Sequence, residues 1–145
     1  MHLTCYKNRD DIIAVVHAHP PFATGYACAH LALDDYSLSE AVTFMGSVPC
    51  APYATPGTDA VGESIIPYLA EHDTILLMNH GAITVGVDLT SAYFRMETLE
   101  HSAKVSFIAK CLGGAYEIPR ESIDYLSDVG RKMNIRHPGY KKYNF

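Results

Sequence analysis

The chain has 145 residues, enough for one domain with one hydrophobic core. Hydrophobic residues make up 48% of it and charged residues 19%, a composition that indicates a globular protein rather than a disordered one. A net charge of −5 disfavours nucleic acid as the main partner. The sequence has no apolar run of the roughly 18 residues that a membrane span needs. Its first residues do not include the apolar segment that is typical of a signal peptide. Its four cysteines form no C-x-x-C pair, which disfavours a thiolate zinc site and predicts a cytoplasmic protein.

The first half of the chain predicts three helices and two extended segments. Residues 2–9 resemble the last turns of a helix without a capping residue, and the β-branched run at 12–17 predicts a strand. Pro20 and Pro21 suit the first turn of a helix, which we expect to continue to about Leu33. A short helix at 39–45 and a short extended piece at 48–53 follow.

The second half predicts three helices and a β-hairpin. Thr58 is a candidate N-cap for a helix to about residue 71. Strands at 74–78 and 82–87 flank a turn, and the longest helix runs from Asp88 to about Leu112. A last helix spans 119–133. The sequence shows no repeat or linker, so we predict a single domain over residues 1–145. Three well-defined strands make a thin sheet for so apolar a chain. Together with the uncapped first helix, this predicts that the chain is part of a larger fold or relies on other chains.

The most informative motif is a pair of histidines at the end of the first strand. Side chains alternate along a strand, so His17 and His19 should share a face while Ala18 points away. His80 likewise follows an apolar strand and precedes Gly81. Three neutral imidazoles with coordination positions left open are typical of a catalytic zinc site. The alternative is that these histidines are ordinary polar residues at strand ends.

Other polar features have simpler interpretations, which we weigh beside functional ones. The remaining histidines have no partner at ligand spacing, and we predict no role for them. They are His2, His30, His72, His101 and His137. The loop at 49–58, rich in proline and glycine, is either a rigid surface loop or the rim of a site. The basic residues of the last fifteen positions form either a solvated tail or an arm that docks on a neighbouring subunit or near an anionic ligand.

Three blocks of this sequence resemble the class II aldolase/adducin family. They are residues 14–20 (AVVHAHP), 49–58 (PCAPYATPGT) and 79–82 (NHGA). Their order and separation match the family over nearly the whole chain. The resemblance implies an α/β fold with a largely antiparallel central sheet between helical layers. It also implies that His17, His19 and His80 bind zinc, and that the protein forms a homotetramer with active sites between subunits.

The chain also departs from the family pattern. The resemblance places the catalytic carboxylate, a glutamate in the aldolases, upstream of Met1, together with the loops that bind phosphate. We therefore expect the family domain to be incomplete at its N-terminus. The tyrosine that donates a proton in the family falls on Leu38, so Tyr36, two residues away, is the candidate substitute. A C-terminal tyrosine of the family is matched by Tyr140 or Tyr143, and we predict Tyr140.

The resemblance implies an enzyme, a metal-dependent aldehyde-lyase. It would cleave a small phosphorylated sugar, of the L-fuculose 1-phosphate type, by a retro-aldol reaction. The products would be a dihydroxyacetone phosphate-type fragment and an aldehyde. The alternatives are a pentulose-phosphate 4-epimerase or a dehydratase on the same zinc site, and a non-catalytic, adducin-like interaction protein. Zn²⁺ is the expected cofactor, with another divalent metal possible in its place.

Overall fold

The computed structural model describes residues 1–143 and contains one sheet with helices on both of its faces. Within these residues, no helix combines the length and the apolar character needed to cross a membrane. The elements in chain order are α1 His2–Asn8, β1 Ala14–Ala18, α2 Pro21–Cys28, α3 Ser39–Phe44, β2 Cys50–Ala51, α4 Ala60–Leu69, β3 Thr74–Leu77, β4 Gly81–Gly86, α5 Leu89–Cys111 and α6 Arg120–Lys132.

The sheet is mainly antiparallel, with the strand order β1-β4-β3-β2. β3 and β4 form the predicted hairpin, and β1 pairs with the far edge of β4, where His17 lies opposite Ile83. The two-residue strand β2 pairs with β3 in parallel. The predicted α/β fold with a largely antiparallel sheet is therefore confirmed, and the fourth strand, β2, lies within the short extended piece predicted at 48–53.

The alternation of side chains along the strands divides the core into two layers. On one face, Val16, Leu76 and Ala82 pack against α2 and α5. On the other face, Ile75 and Ile83 pack against α1 and α4. The sheet thus lies between helical layers, as a strand buried on both faces requires.

Two predicted helix boundaries are wrong. α2 ends at Cys28 rather than near Leu33, because His30 adopts a left-handed backbone with φ of 57° and Leu33 pairs with Val48 in an isolated bridge. Thr58 does not cap α4. Asp59 occupies that position without a side-chain hydrogen bond, and the Thr58 hydroxyl donates to the Thr55 carbonyl at 2.7 Å.

The basic C-terminal segment packs against its own chain through ion pairs. The expectation that it docks on a neighbouring subunit or near an anionic ligand stays a prediction. Arg136 pairs with Asp11 at 3.4 Å, and Lys141 pairs with Glu71 at 3.0 Å. The buried carboxylate of Asp73 joins this segment to the rest of the fold by accepting from the Arg136 amide at 2.9 Å. These contacts fasten the segment across the α4–β3 side of the molecule.

Candidate metal centre

The three predicted histidines converge at one end of the sheet. The ring centroids of His17, His19 and His80 lie 4.8 to 5.0 Å apart, and each ring offers a nitrogen within 4.8 Å of the others. His17 and His80 are half-buried, whereas His19 is exposed. The cluster is therefore anchored in the sheet on one side and open to solvent on the other. The pairing of β1 with β4 brings His80 to the other two rings, although it lies far from them in sequence.

His17 is oriented by the neighbouring strand. Its Nδ1 lies 2.8 Å from the carbonyl oxygen of Ala82, across the pair of strands β1 and β4. A carbonyl can only accept, so Nδ1 carries the proton and the lone pair of Nε2 is free. That Nε2 lies 3.2 Å from Nε2 of His19. A main-chain oxygen that fixes the tautomer of a ligating histidine is typical of metal sites.

His80 is positioned by the tight turn between β3 and β4. Asn79 has a left-handed φ of 54°, a conformation that asparagine tolerates, and its side-chain Oδ1 lies 2.6 Å from Nε2 of His30. Gly81 allows the close approach of β1. A Cβ at this position would lie 2.5 Å from Cδ2 of His19 and 2.6 Å from the Ala18 carbonyl oxygen. The glycine after His80 is thus required by the packing of the His19 ring.

The electrostatics of the cluster favour neutral imidazoles. Burial lowers the pKa of His17, and the neighbouring His80 and His19 lower it further. Burial and the proximity of His19 likewise lower the pKa of His80. Because a metal binds the neutral ring, a lowered pKa makes the ligand form available at neutral pH. Two ligands at about 2.0–2.1 Å from a tetrahedral zinc ion lie about 3.3 Å apart, close to the Nε2–Nε2 separation of 3.2 Å. The ligand nitrogens of all three rings lie within 4.8 Å of one another, so the three side chains could hold a divalent metal.

The two predicted catalytic tyrosines lie together, near the C-terminal segment. Tyr36 and Tyr140 stack with centroids 4.7 Å apart in a cluster with Val42 and Ile123. The Tyr36 side chain is 3% exposed, and its hydroxyl lies 2.9 Å from the Gly139 carbonyl oxygen. Within residues 1–143, no hydrogen bond or ring contact joins either tyrosine to the three histidines. In this chain Tyr36 anchors the C-terminal segment, and the proton-donor roles of both tyrosines stay predictions.

Two histidines for which we predicted no role are buried in the fold. His72 is 2% exposed, and its Nε2 lies 2.6 Å from the Tyr143 hydroxyl. His137 is 6% exposed and packs beside Gly130. Their burial follows from contacts with distant segments, so no local pattern signals it. In the described part of the chain, no carboxylate is hydrogen-bonded to the histidine cluster.

Comparison with known proteins identifies the family. Residues 1–107 match the family model described as Class II Aldolase and Adducin N-terminal domain. The chain belongs to this family.

Several relatives of known name are similar to the chain. A 5-deoxy-D-ribulose 1-phosphate aldolase of Bacillus thuringiensis is 31% identical over 128 residues, which cover 88% of this chain and 59% of the relative. An L-fuculose phosphate aldolase of Methanococcus maripaludis is 33% identical over 113 residues, which cover 78% of this chain and 61% of that relative. A 3-oxo-tetronate 4-phosphate decarboxylase of Escherichia coli K12 is 35% identical over 112 residues, covering 74% and 52%. The chain thus spans about half to three fifths of the length of these relatives.

Solved structures agree with the fold. An L-fuculose 1-phosphate aldolase superposes with a TM-score of 0.82 at 30% identity, covering 92% of this chain and 61% of that one. The L-fuculose-1-phosphate aldolase of Thermus thermophilus superposes with a TM-score of 0.68 at 29% identity, covering 81% of this chain and 63% of that one.

Proposed function

We propose that this chain forms the metal-binding part of a zinc-dependent aldolase that cleaves a sugar phosphate of the L-fuculose 1-phosphate type. The products would be a dihydroxyacetone phosphate-type fragment and an aldehyde. The observation that carries the proposal is the convergence of His17, His19 and His80 with one open side. Family membership and the aldolases among its relatives support the reaction class.

The residues of this chain would hold and orient the metal. His17 presents Nε2 because its Nδ1 donates to the Ala82 carbonyl, and His80 is fixed by the turn at Asn79. When bound, the divalent metal supplies electrophilic charge beside a substrate carbonyl. The solvent-exposed side of the cluster, at His19, leaves room for a substrate to approach.

Proton transfer needs further groups. A general base must lie within hydrogen-bond reach of the proton that it removes, and we propose that a carboxylate outside residues 1–143 supplies it. We also retain Tyr36 and Tyr140 as candidate proton donors. Burial raises the pKa of Tyr36, which keeps its phenol protonated and is compatible with an acid role.

A decarboxylase is the second candidate. A 3-oxo-tetronate 4-phosphate decarboxylase is among the relatives, at 35% identity. Retro-aldol cleavage and decarboxylation of a 3-oxo acid both break a carbon–carbon bond next to a carbonyl-stabilised carbanion, so the same electrophilic centre suits both. The convergence of three imidazoles argues against a purely structural, adducin-like role.

The assembly and location are also proposals. We propose a homotetramer in the cytoplasm whose subunits together complete the active site. Exposed apolar side chains on α5 support self-association. The thiols of Cys28 and Cys111 are free and exposed, which suits a reducing compartment.

Metal binding is tested on the 145-residue chain itself. Zn²⁺ content after dialysis and a Co²⁺ titration followed by its visible absorption should show one bound ion per chain. His80→Ala should weaken binding by more than about 100-fold, since even the loss of an outer partner of a ligand costs about 10–100-fold. His101→Ala, which removes an exposed histidine of α5, is the matched control and should bind like the parent. Equal affinity in the parent and in His80→Ala would contradict the site.

Activity is tested with L-fuculose 1-phosphate and a 3-oxo-tetronate 4-phosphate. The assay compares the 145-residue chain with a version extended by any coding sequence that precedes it in frame. Release of dihydroxyacetone phosphate by the zinc-loaded extended protein, lost in His80→Ala, is the expected result. Release of CO₂ alone would favour the decarboxylase. Equal turnover by the two versions would place the base within these 145 residues and contradict its proposed position.

A further inference from the structure

Glu100 of α5 holds the first turn of α2. Its Oε1 accepts a hydrogen bond from the Phe22 amide at 3.0 Å, and its Oε2 accepts one from the Ala23 amide at 2.9 Å. The carboxylate is partly buried, and it forms no ion pair within the described residues. Both of its oxygens are therefore committed to the main chain of a helix 77 and 78 positions away in sequence.

These two hydrogen bonds account for every free donor at this helix terminus. A helix normally leaves its first four amides without a partner inside the helix. Pro20 and Pro21 have no N–H, so the donors that remain are those of Phe22 and Ala23. The next amide, of Thr24, already donates to the Pro20 carbonyl at 2.8 Å. α2 has no side-chain cap of its own, and a negative charge suits its positive end.

α2 contacts both segments that carry the candidate metal ligands. Its N-terminal residue follows His19 by two positions. Near its other end, the Ala27 carbonyl accepts a hydrogen bond from the Asn79 amide at 3.2 Å, and Asn79 directly precedes His80. A shift of α2 would therefore displace His19 through the chain and His80 through this hydrogen bond.

We infer that Glu100 is a positioning residue for the metal centre, acting through α2. This inference rests on the metal site proposed above. The carboxylate matches the two adjacent amides with two acceptor oxygens, and it fixes the point at which the chain leaves His19 and enters the helix. Without it, two main-chain donors lose their partners and the first turn of α2 has to move or admit water.

The test compares Co²⁺ affinity and the visible absorption spectrum of the bound ion in variants of the full 145-residue chain. Glu100→Gln replaces one acceptor by an NH₂ group that faces the amides donor to donor. We expect Co²⁺ to bind it about 10–100-fold more weakly, with a changed spectrum. Hydrogen exchange of the Phe22 and Ala23 amides should accelerate in the same variant.

Two control variants distinguish an effect of lost positioning from the effects of a lost charge and of lower stability. Glu97→Gln removes the same charge one turn earlier on α5, where the carboxylate accepts from the exposed Tyr93 hydroxyl at 2.8 Å. Ile123→Val destabilises a separate core cluster that does not include α2. Both should bind Co²⁺ as the parent does. If Glu100→Gln also matches the parent in affinity and spectrum, the inference about Glu100 is overturned while the metal site stands. If the parent takes up no Co²⁺, the metal site and this inference fall together.

Discussion

At the scale of single residues, the candidate metal centre depends on small side chains as much as on the histidines. Gly81 adopts no left-handed conformation, and it is needed instead for space, because the His19 ring and the Ala18 carbonyl approach it closely. Ala82 contributes only its carbonyl oxygen, which fixes the tautomer of His17. The residues that shape the site therefore carry little chemistry of their own.

Gly81→Ala should damage both the fold and the metal site. The added Cβ would meet the Ala18 carbonyl at 2.6 Å, and main-chain atoms move only at a cost. We expect a loss of about 1–3 kcal/mol in the free energy of unfolding, as for other overpacked sites, together with weaker Zn²⁺ binding. Gly25→Ala in α2 is the control, because a Cβ there meets nothing within 4 Å. It should stabilise the protein by up to about 1 kcal/mol in urea unfolding. Equal effects of the two substitutions would contradict the argument.

His72 should make stability depend on pH. Burial lowers its pKa to about 4, whereas an exposed histidine in the unfolded chain titrates near 6.5. The unfolded state thus binds the proton more readily, so stability is complete above about pH 6.5 and falls as the pH drops towards 4. We expect His72 to account for a loss on the order of 2 kcal/mol at pH 5 in the metal-free protein.

Urea unfolding at pH 7 and pH 5 measures this effect. His72→Gln should reduce the difference in the free energy of unfolding between pH 7 and pH 5. His137, whose pKa is also lowered by burial, should keep part of this difference. His101→Gln changes an exposed histidine and should leave the difference as in the parent. A His72→Gln variant with an undiminished difference would show that another group is responsible.

At the scale of elements, the helix N-termini differ in how they are capped. α5 begins with a capping box, in which the Asp88 carboxylate accepts from the Ser91 amide at 2.6 Å and the Ser91 hydroxyl faces the Asp88 amide. α4 begins at Asp59 without a side-chain hydrogen bond. α2, with its two prolines, depends on Glu100 from another helix. Local sequence explains the first terminus but not the last.

Asp88→Ala should destabilise the protein by about 1 kcal/mol, the usual cost of losing an N-cap. The cap opens the longest helix, which packs on β4 and β1, so its loss should lower the midpoint of urea unfolding. Asp59→Ala changes an N-cap aspartate whose side chain makes no capping hydrogen bond and should have a smaller effect. A larger loss for Asp59→Ala than for Asp88→Ala would rule out this ranking.

At the scale of the whole molecule, large apolar side chains on and just after α5 are exposed in the described part of the chain. Phe94, Ile108 and the C-cap residue Leu112 are 57%, 44% and 84% exposed. Ile108 and Leu112 lie one turn apart, and exposed apolar surface of this kind is what a second copy would cover.

We expect the chain to self-associate at micromolar concentration. Light scattering should give a mass above the 15.9 kDa of one chain, and Phe94→Glu should lower it, because a charge at this exposed apolar position opposes burial. Ser122→Glu adds the same charge on α6, away from the exposed apolar side chains of α5, and should leave the mass unchanged. A parent that scatters as a clean monomer would contradict the prediction.

The sequence by itself determined the local order of this protein and singled out the three histidines of the candidate metal centre. Periodicity and turn residues predicted the hairpin at His80, the start of the longest helix at Asp88 and the shared face of His17 and His19, because each depends on neighbours within a few positions. The tertiary structure decided which distant segments are in contact. The examples are the pairing of β1 with β4, the contact of Glu100 with α2, and the burial of His72 against Tyr143. These contacts join segments tens of residues apart. The early end of α2 also follows from a tertiary contact, the bridge between Leu33 and Val48. Local patterns cannot encode such pairings, since they arise from the packing of whole elements against one another.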